Sequence, residues 1–132
     1  MIAIDTNVLV RFLTQDDPKQ GAAASRLFAD LTVESPGFVS REVMIELVWV
    51  LERAYRYDRA EIAAALEGLL AATELELEAS DDIGTVLYAY RDQGFGFADL
   101  MIAAAARRAG ALHLVTFDRK AARLPGVELL GS

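Results

Sequence analysis

The sequence predicts an α/β fold with a central, mostly parallel sheet of four to five strands, and three observations lead to this class. Short apolar stretches alternate with longer amphipathic ones along the chain, which favours right-handed crossovers and a sheet covered by helices on both faces. No repeat, low-complexity run or linker interrupts the 132 residues, so a single domain over residues 1–132 is expected. The hydrophobic fraction of 54% suffices for a packed core and suggests that a partner covers some apolar surface.

The first half of the chain carries clear start signals for its helices. "IAID" is predicted as a short buried strand, and "TNVLVRFLT" as a helix that follows it directly. Asp17 as N-cap and Pro18 at the first helical position predict a helix over "DPKQGAAASRLFADL". "PGFVS" is a second strand, after which the long helix "REVMIELVWVLERAY" begins near Ser40. Asp58 opens another helix, "YDRAEIAAALEGLLAA", and "ELELEA" is the third strand.

The second half repeats the alternation of helix and strand. "DDIGTVLYAYRDQ" is a helix that ends at the "GFG" turn, and "FADLMIAAAARRAG" is an alanine-rich helix that Gly110 stops. "LHLVTFD" is predicted as a buried strand ending on Asp118, with His113 as a structural residue inside it. "RKAARL" is a short helix and "VELL" the last strand.

Composition excludes several classes of function. The absence of cysteine excludes disulfides and thiolate chemistry, and a single histidine excludes a ribonuclease that uses paired histidines. No phosphate-binding loop of the type G-x-x-x-x-G-K-[ST] is present, which argues against nucleoside triphosphate hydrolysis. No secretory segment and no apolar run near membrane-spanning length occur, so a cytoplasmic protein without a membrane partner is expected.

The net charge of −7 is unusual for a protein that binds nucleic acid, because affinity for the phosphate backbone normally comes from basic surface. The basic residues are nevertheless clustered. Three clusters stand out: Arg53/Arg56/Arg59, Arg107/Arg108 and Arg119/Lys120/Arg123.

Four acids are candidates for a functional site. Asp5 and Asp118 each leave a predicted strand at its carboxyl end, where ligands bind in open α/β sheets. Together with Asp99 they also stand near predicted helix starts, so the competing interpretation for each is an N-cap worth about 1 kcal/mol. Glu46 lies in the middle of a predicted helix, where no cap explains it, and an ion pair with an arginine is the alternative.

A shared pocket for these acids requires a counter-ion. A charge placed after four apolar residues, as Asp5 is, is costly to bury without a partner. Two like charges 4 Å apart repel by about 4 kcal/mol at an effective dielectric constant of 20. Such a cluster stays partly protonated or binds a hard divalent cation, and oxygen ligands favour Mg²⁺ or Mn²⁺ over zinc.

Four segments, "MIAIDTNVLVRFL", "EVMIELVWVL", "GFGFADLMIAAAARRAG" and "LVTFD", together resemble the PIN domain, and specifically the VapC-type toxin ribonucleases of toxin–antitoxin systems. The resemblance spans nearly the whole chain and implies a three-layer α/β/α architecture. The resemblance implies a metal-dependent endoribonuclease that uses Mg²⁺ as its cofactor, with Mn²⁺ as a substitute for Mg²⁺. The implied partners are an RNA substrate, a cognate antitoxin and a second copy in a homodimer.

The resemblance also assigns roles to residues. It makes Asp5, Glu46, Asp99 and Asp118 the metal-binding catalytic acids, with the first and third acids as the most direct ligands. Thr6 and Asn7 match the small polar residues that hold the first acid, and Thr116 matches a hydroxyl residue near the fourth.

Two further expectations come from the residues themselves. Arg11, Arg119 and Lys120 follow acids of the site closely, so they are candidates for contacts with RNA phosphates, against the alternative of solvated surface charges. Ile45, Val48 and Trp49 make the long helix apolar on the side away from Glu46. That side predicts a homodimer contact or a docked antitoxin segment, with a fully internal helix as the alternative.

Three other functions remain open at this point. One is a PIN-fold nuclease with a housekeeping role in RNA processing. Another is phosphoryl transfer through Asp5, as in phosphatase-like or receiver domains, although position 7 is Asn and the only lysines are Lys19 and Lys120. The third is a binding module that has lost its metal.

Overall fold

A computed structural model gives the fold and describes residues 1–131. Within them the helices are α1 (Thr6–Thr14), α2 (Pro18–Asp30), α3 (Arg41–Arg53), α4 (Arg59–Ala71), α5 (Ser80–Gln93) and α6 (Phe97–Arg108). The strands are β1 (Ile2–Ala3), β2 (Gly37–Val39), β3 (Leu75–Leu77), β4 (Leu114–Thr116) and β5 (Val127–Leu129). A short 3₁₀ turn, Ala121–Arg123, precedes β5. The predicted order of elements is confirmed.

Every strand pair is parallel, as the sequence predicts for an α/β fold. One sheet has the order β1-β2-β3, with Ile2 opposite Gly37 and Gly37 opposite Leu75. The other joins β4 to β5, with Leu114 opposite Val127. The five strands are confirmed, but they form sheets of three and two strands rather than one sheet. Each strand is only two or three residues long and therefore offers few groups for further pairing.

Contacts divide the chain into two compact units, Met1–Ser80 and Asp81–Ser132. The first contains β1–β3 and α1–α4, and the second contains α6, β4 and β5, with nearly all of α5. The prediction of a single domain stays a prediction. No helix within residues 1–131 has the length and apolar character needed to cross a bilayer.

The core of the first unit is built on α3 and α4. Met44, Leu47 and Leu51 recur at helical spacing along α3 and are fully buried. Glycine is required at the start of β2, because a Cβ at Gly37 would lie 2.5 Å from Cδ1 of Ile4 and 2.9 Å from Cδ1 of Leu31. The three-stranded sheet therefore packs closely against its neighbours at this point.

The first strand differs from its prediction. β1 covers only two residues, both exposed, and the buried residue of "IAID" is Ile4, which follows the strand. The order of the strands places β1 at the edge of the sheet, where it pairs with β2 alone, and this position leaves the strand exposed.

The second unit packs around α5 and α6. Tyr90 and Phe97 meet edge to face with ring centroids 5.8 Å apart, and both are buried. The prediction of a buried strand over "LHLVTFD" is wrong, because β4 is shorter and Phe117 beyond it is 78% exposed. The expected burial is missing because β4 pairs with β5 alone, and a strand with one neighbour is covered less than a central strand with two. His113 lies just before β4, exposed, with Nε2 3.3 Å from Oε2 of Glu128.

The helix starts agree with the sequence signals. Asp17 accepts a hydrogen bond from the backbone of Gln20, and the hydroxyl of Ser40 accepts one from Val43. Asp58 and Glu61 form a reciprocal capping box at the start of α4. After α6, Gly110 adopts φ of 76°, the left-handed conformation that ends helices.

Candidate active site

Asp5 stands between β1 and α1 and caps the helix. Its Oδ1 accepts a hydrogen bond of 2.7 Å from the backbone N–H of Thr6. The side chain is exposed, so the expectation of a buried charge is wrong. The reason is local, since Ile4 fills the buried position and Asp5 lies one residue beyond it. Within residues 1–131, Oδ2 of Asp5 accepts no hydrogen bond and is available to a ligand.

Thr6 links Asp5 to Glu46. The Thr6 side chain is 5% exposed and is the one buried polar side chain of the described chain. Its hydroxyl donates a hydrogen bond to Oε1 of Glu46, which joins the start of α1 to the middle of α3. Glu46 is therefore held by a hydroxyl group, and the arginine ion pair considered for it is not formed in the part of the chain that the structure describes.

A pocket of about 470 Å³ opens between α1 and α3 in the first unit. The carboxylates of Asp5 and Glu46 both line it. Its other walls come from Thr6, Asn7, Val10, Arg11, Val50, Ala54 and Tyr55. The first unit thus places two of the four predicted acids at one pocket, with Asn7 exposed in its wall.

Asp99 occupies the third position of α6, not the capping position, which belongs to Gly96. The capping interpretation considered for Asp99 is therefore wrong. A Cβ at Gly96 would lie only 3.0 Å from Oδ2 of Asp99, so the carboxylate folds back over the start of its own helix. Partial burial raises the pKa of Asp99, the charge of Asp118 raises it further, and Lys120 opposes the shift.

Asp118 lies between β4 and the 3₁₀ turn, three residues before the first residue of that turn, Ala121. Its Oδ1 accepts hydrogen bonds of 2.8 Å from the backbone of Lys120 and 3.0 Å from that of Ala121. The backbone N–H of Asp118 in turn donates to the hydroxyl of Thr116 at 3.0 Å. Asp118 therefore stabilises the turn that leads into the 3₁₀ segment but is not the N-cap of that segment, which is Lys120, and Oδ2 of Asp118 has no hydrogen-bond partner within residues 1–131.

The three predicted phosphate-binding residues differ in their surroundings. Lys120 lies beside the turn before α6, because a Cβ at Gly94 would be 3.5 Å from its Nζ. Arg119 is exposed, and no ion pair or hydrogen bond of its side chain is found in the described chain. Arg11 is already engaged by Asp16, Gln20 and Tyr55. Sequence reasoning missed these partners, and the single available signal was the acidic pair Asp16–Asp17 at a helix start.

The donor chemistry fits a magnesium ion bound with help from the substrate. Among residues 1–131 no three Asp, Glu or His side chains form a ready-made metal site. Each unit instead brings two carboxylates close, Asp5 with Glu46 and Asp99 with Asp118. Mg²⁺ in proteins is typically held by one or two carboxylates, several waters and substrate phosphates. The charge repulsion that raises the pKa of Asp99 is what a divalent cation would relieve.

Comparison with known proteins identifies the family to which this chain belongs. The family model for the PIN domain matches residues 2–127, which reach across both units. The chain belongs to the PIN domain family.

One protein similar to this chain is a VapC ribonuclease from Aquifex aeolicus (strain VF5). It is 29% identical over 125 residues, which cover 94% of this chain and 92% of the relative. No solved structure gave a significant match. The resemblance that the four sequence segments predicted is confirmed at the level of the family.

Proposed function

We propose that this protein is a metal-dependent endoribonuclease that hydrolyses RNA phosphodiester bonds as the toxin of a toxin–antitoxin pair. The observation that carries the proposal is the likeness to a VapC ribonuclease over 94% of the chain. The two carboxylate pairs, each of one acid that follows a short strand and one that lies on a helix, support it, because their chemistry suits a divalent cation.

Asp5, Glu46, Asp99 and Asp118 would hold Mg²⁺, or Mn²⁺ in its place. The chemistry such an ion supplies is a lower pKa for its bound water and a counter-charge for the transition state at phosphorus. Thr6 orients two of the acids, since its backbone N–H bonds to Asp5 and its hydroxyl to Glu46.

Contacts to the RNA backbone would come from the basic residues near these acids. Arg119 and Lys120 follow Asp118 directly, and both are exposed. Arg11 lines the same pocket as Asp5 and Glu46. With a net charge of −7, affinity for RNA must come from these few cations, and bound Mg²⁺ would add to it.

The proposal is tested by replacing Asp5 or Asp99 with Asn. Each variant should lose cleavage of RNA by about 100-fold or more while keeping the fold, because the charge that binds the metal is removed without changing shape. Asp30→Asn, an exposed acid at the end of α2, is the matched control. Cleavage is measured with Mg²⁺, with Mn²⁺ and with EDTA. Full activity in both site variants, or in EDTA, contradicts the proposal.

Expression in cells separates a toxin from a housekeeping nuclease that processes RNA. Induced wild-type protein should arrest growth, and the Asp5→Asn variant should not. Co-expression of a small protein encoded next to this chain should restore growth if that protein is the antitoxin. Cleavage in vitro without growth arrest favours the housekeeping role. Both roles place the protein in the cytoplasm, where its RNA substrate lies.

A homodimer is part of the proposal. Of the three apolar residues predicted to form a second surface on α3, Val48 is buried in the core and Ile45 half-buried. Trp49 alone is largely exposed, at 56%, with the guanidinium of Arg53 5.8 Å from its ring centroid. The contact surface for a second copy is therefore proposed to centre on Trp49.

A further inference from the structure

Arg11 lies in the wall between two pockets of the first unit. One is the 470 Å³ pocket of Asp5 and Glu46, and the other, of about 530 Å³, runs along α1 and α2. Asn7 and Arg11 line both pockets and lie four residues apart on α1, so they form one ridge. A chain that occupies both pockets must cross this ridge.

The Arg11 side chain is held in place by three neighbours. Its Nη1 donates to Oδ1 of Asp16 and to the hydroxyl of Tyr55, both at 3.0 Å. The Tyr55 hydroxyl donates at 2.6 Å to Oδ2 of Asp16, which closes a ring of three side chains. On the other side, Nε of Arg11 donates at 2.7 Å to Oε1 of Gln20.

This arrangement leaves one nitrogen of Arg11 unused. A guanidinium group has five N–H donors, and no hydrogen bond engages Nη2 within residues 1–131. The Tyr55 hydroxyl, followed by that of Thr14, lowers the pKa of Asp16 and keeps its carboxylate ionised. Asp16 offsets the charge of Arg11, so what Arg11 offers a ligand is mainly a donor fixed in direction.

We propose that Tyr55 and Asp16 are positioning residues: they hold Arg11 on the ridge so that Nη2 donates to a phosphate oxygen of an RNA strand passing between the two pockets. Both pockets fall within the range of volumes that binds small molecules, so each has room for one nucleotide. The inference rests on the proposed function, because it takes the same substrate. It adds the path of the strand and the residues that fix one of its contacts.

The competing explanation is that the three side chains only tie α1 to the end of α3. Loss of the Tyr55 hydroxyl would then lower stability and leave RNA binding unchanged. Tyr55→Phe separates the two, since it removes the hydroxyl and keeps the ring. Tyr57→Phe is the matched control, because Tyr57 packs edge to face against Tyr55 at 6.1 Å and its hydroxyl makes no hydrogen bond in the described chain.

Binding is measured by fluorescence anisotropy with a labelled single-stranded oligoribonucleotide in EDTA, where metal-dependent cleavage is absent. Tyr55→Phe should weaken binding by about fivefold, as expected for one lost hydrogen bond, and Tyr57→Phe should not. Arg11→Met should weaken it more, because the donor to the phosphate is itself removed. In the Arg11→Met background, Tyr55→Phe should have no further effect, because Tyr55 acts through Arg11.

Kinetics with Mg²⁺ give a second readout. Tyr55→Phe should raise KM with little change in kcat, since a contact outside the reacting bond contributes equally to ground and transition states. Arg11→Lys keeps the positive charge but loses the planar guanidinium group with its several donors. It should therefore resemble Arg11→Met when binding is compared with and without Tyr55→Phe. Arg11→Lys also replaces Arg11→Met in these measurements if a thermal melt shows that Arg11→Met does not fold.

The outcomes are distinct from those of the proposed function. Wild-type affinity in Tyr55→Phe, additive effects in the double variant, or no binding of RNA by the wild type would each overturn the inference. If the wild type binds RNA with the expected pattern but cleaves none, the nuclease proposal fails and the role of Tyr55 remains.

Discussion

At the scale of the residue, Thr6 connects Asp5 and Glu46, two of the proposed metal-binding acids. Its backbone N–H donates a hydrogen bond to Asp5 and its buried hydroxyl donates one to Glu46, so one small residue orients two carboxylates, one at the start of α1 and one on α3. A buried hydroxyl is expected to be hydrogen-bonded, and here its partner is Glu46, one of the acids that we propose to bind the metal. The geometry of the first carboxylate pair therefore depends on a residue that binds no metal itself.

Replacing Thr6 with Val tests this dependence. The change keeps the shape of the side chain and removes the hydroxyl, so the proposed ribonuclease activity should fall about tenfold as Glu46 loses its orientation. The free energy of unfolding should fall by about 1 kcal/mol, measured in urea. Thr6→Ser keeps the hydroxyl and should retain most of the activity. Equal activity in Thr6→Val and wild type would contradict the role of Thr6.

Asp99 illustrates the cost of partly burying a carboxylate, to which the neighbouring charge of Asp118 adds. Its pKa is raised in the folded state, so ionised Asp99 destabilises the fold at any pH above that raised value. This cost disappears below the ordinary pKa of aspartate, where Asp99 is protonated in both the folded and unfolded states. Ionised Asp99 is thus unfavourable for the stability of the metal-free protein, and metal binding is the role that we propose for it.

Asp99→Asn should therefore raise the midpoint of thermal unfolding at pH 7 by about 1–3 °C in EDTA, a small effect because the group is partly exposed. The gain should shrink as the pH falls toward 4, and Mg²⁺ should stabilise the wild type more than the variant. Glu76→Gln, an exposed acid of β3, should show neither behaviour. A lower midpoint for Asp99→Asn at pH 7 would refute the sign of this argument.

At the scale of the element, the start of α6 is shaped around Asp99. Gly96 takes the capping position with φ of −66°, a conformation that any residue adopts, so backbone strain does not explain the glycine. The lack of room for a side chain explains the glycine, because a Cβ at Gly96 would lie only 3.0 Å from Oδ2 of Asp99. The helix start thus leaves room for an acid that points back over it.

Gly96→Ala should displace the Asp99 carboxylate by a few tenths of an ångström and lower the proposed cleavage rate about tenfold while the protein stays folded. Gly84→Ala is the control, because Gly84 lies exposed within α5 with open space around it. That change should raise the free energy of unfolding by about 0.5–1 kcal/mol and leave activity unchanged. Urea unfolding and a cleavage assay on both variants decide the point. Wild-type activity in Gly96→Ala would show that the position of Asp99 tolerates this crowding.

At the scale of the whole molecule, a strongly acidic chain is proposed to act on a polyanion. The formal charge of −7 opposes association with RNA at long range, and only bound cations and a few arginines reverse it locally. The same charge opposes self-association, so a homodimer has to depend on apolar contact. Trp49 is the large exposed apolar residue on α3.

Sedimentation at several concentrations tests the dimer. The wild type should sediment as a dimer, and Trp49→Glu should shift it toward the monomer by about tenfold or more in the dissociation constant, as expected for loss of an aromatic anchor. Val33→Glu changes another exposed apolar residue, away from the helices, and should leave the dimer intact. A monomeric wild type would contradict the homodimer, and a dimeric Trp49→Glu would contradict the surface proposed for it.

The sequence by itself determined the order of the elements and most of their boundaries. Asp17, Ser40 and Asp58 start their helices as predicted because a cap acts on a backbone N–H only three residues away. The period of the apolar residues then selects helix or strand, and that period is also local. The four candidate acids were identified from their places in the predicted elements, and their roles as metal ligands from the resemblance to a family whose model matches residues 2–127.

Tertiary structure alone decided which side chains hold the site together. The hydroxyl of Thr6 reaches Glu46 across 40 residues, and Arg11 reaches Tyr55 across 44. It also decided the exposure of Asp5, of β1 and of Phe117, where local apolar character predicted burial. Local pattern reports what a segment prefers, whereas burial and long-range hydrogen bonds depend on which segment packs against it, and that is settled only when the chain folds.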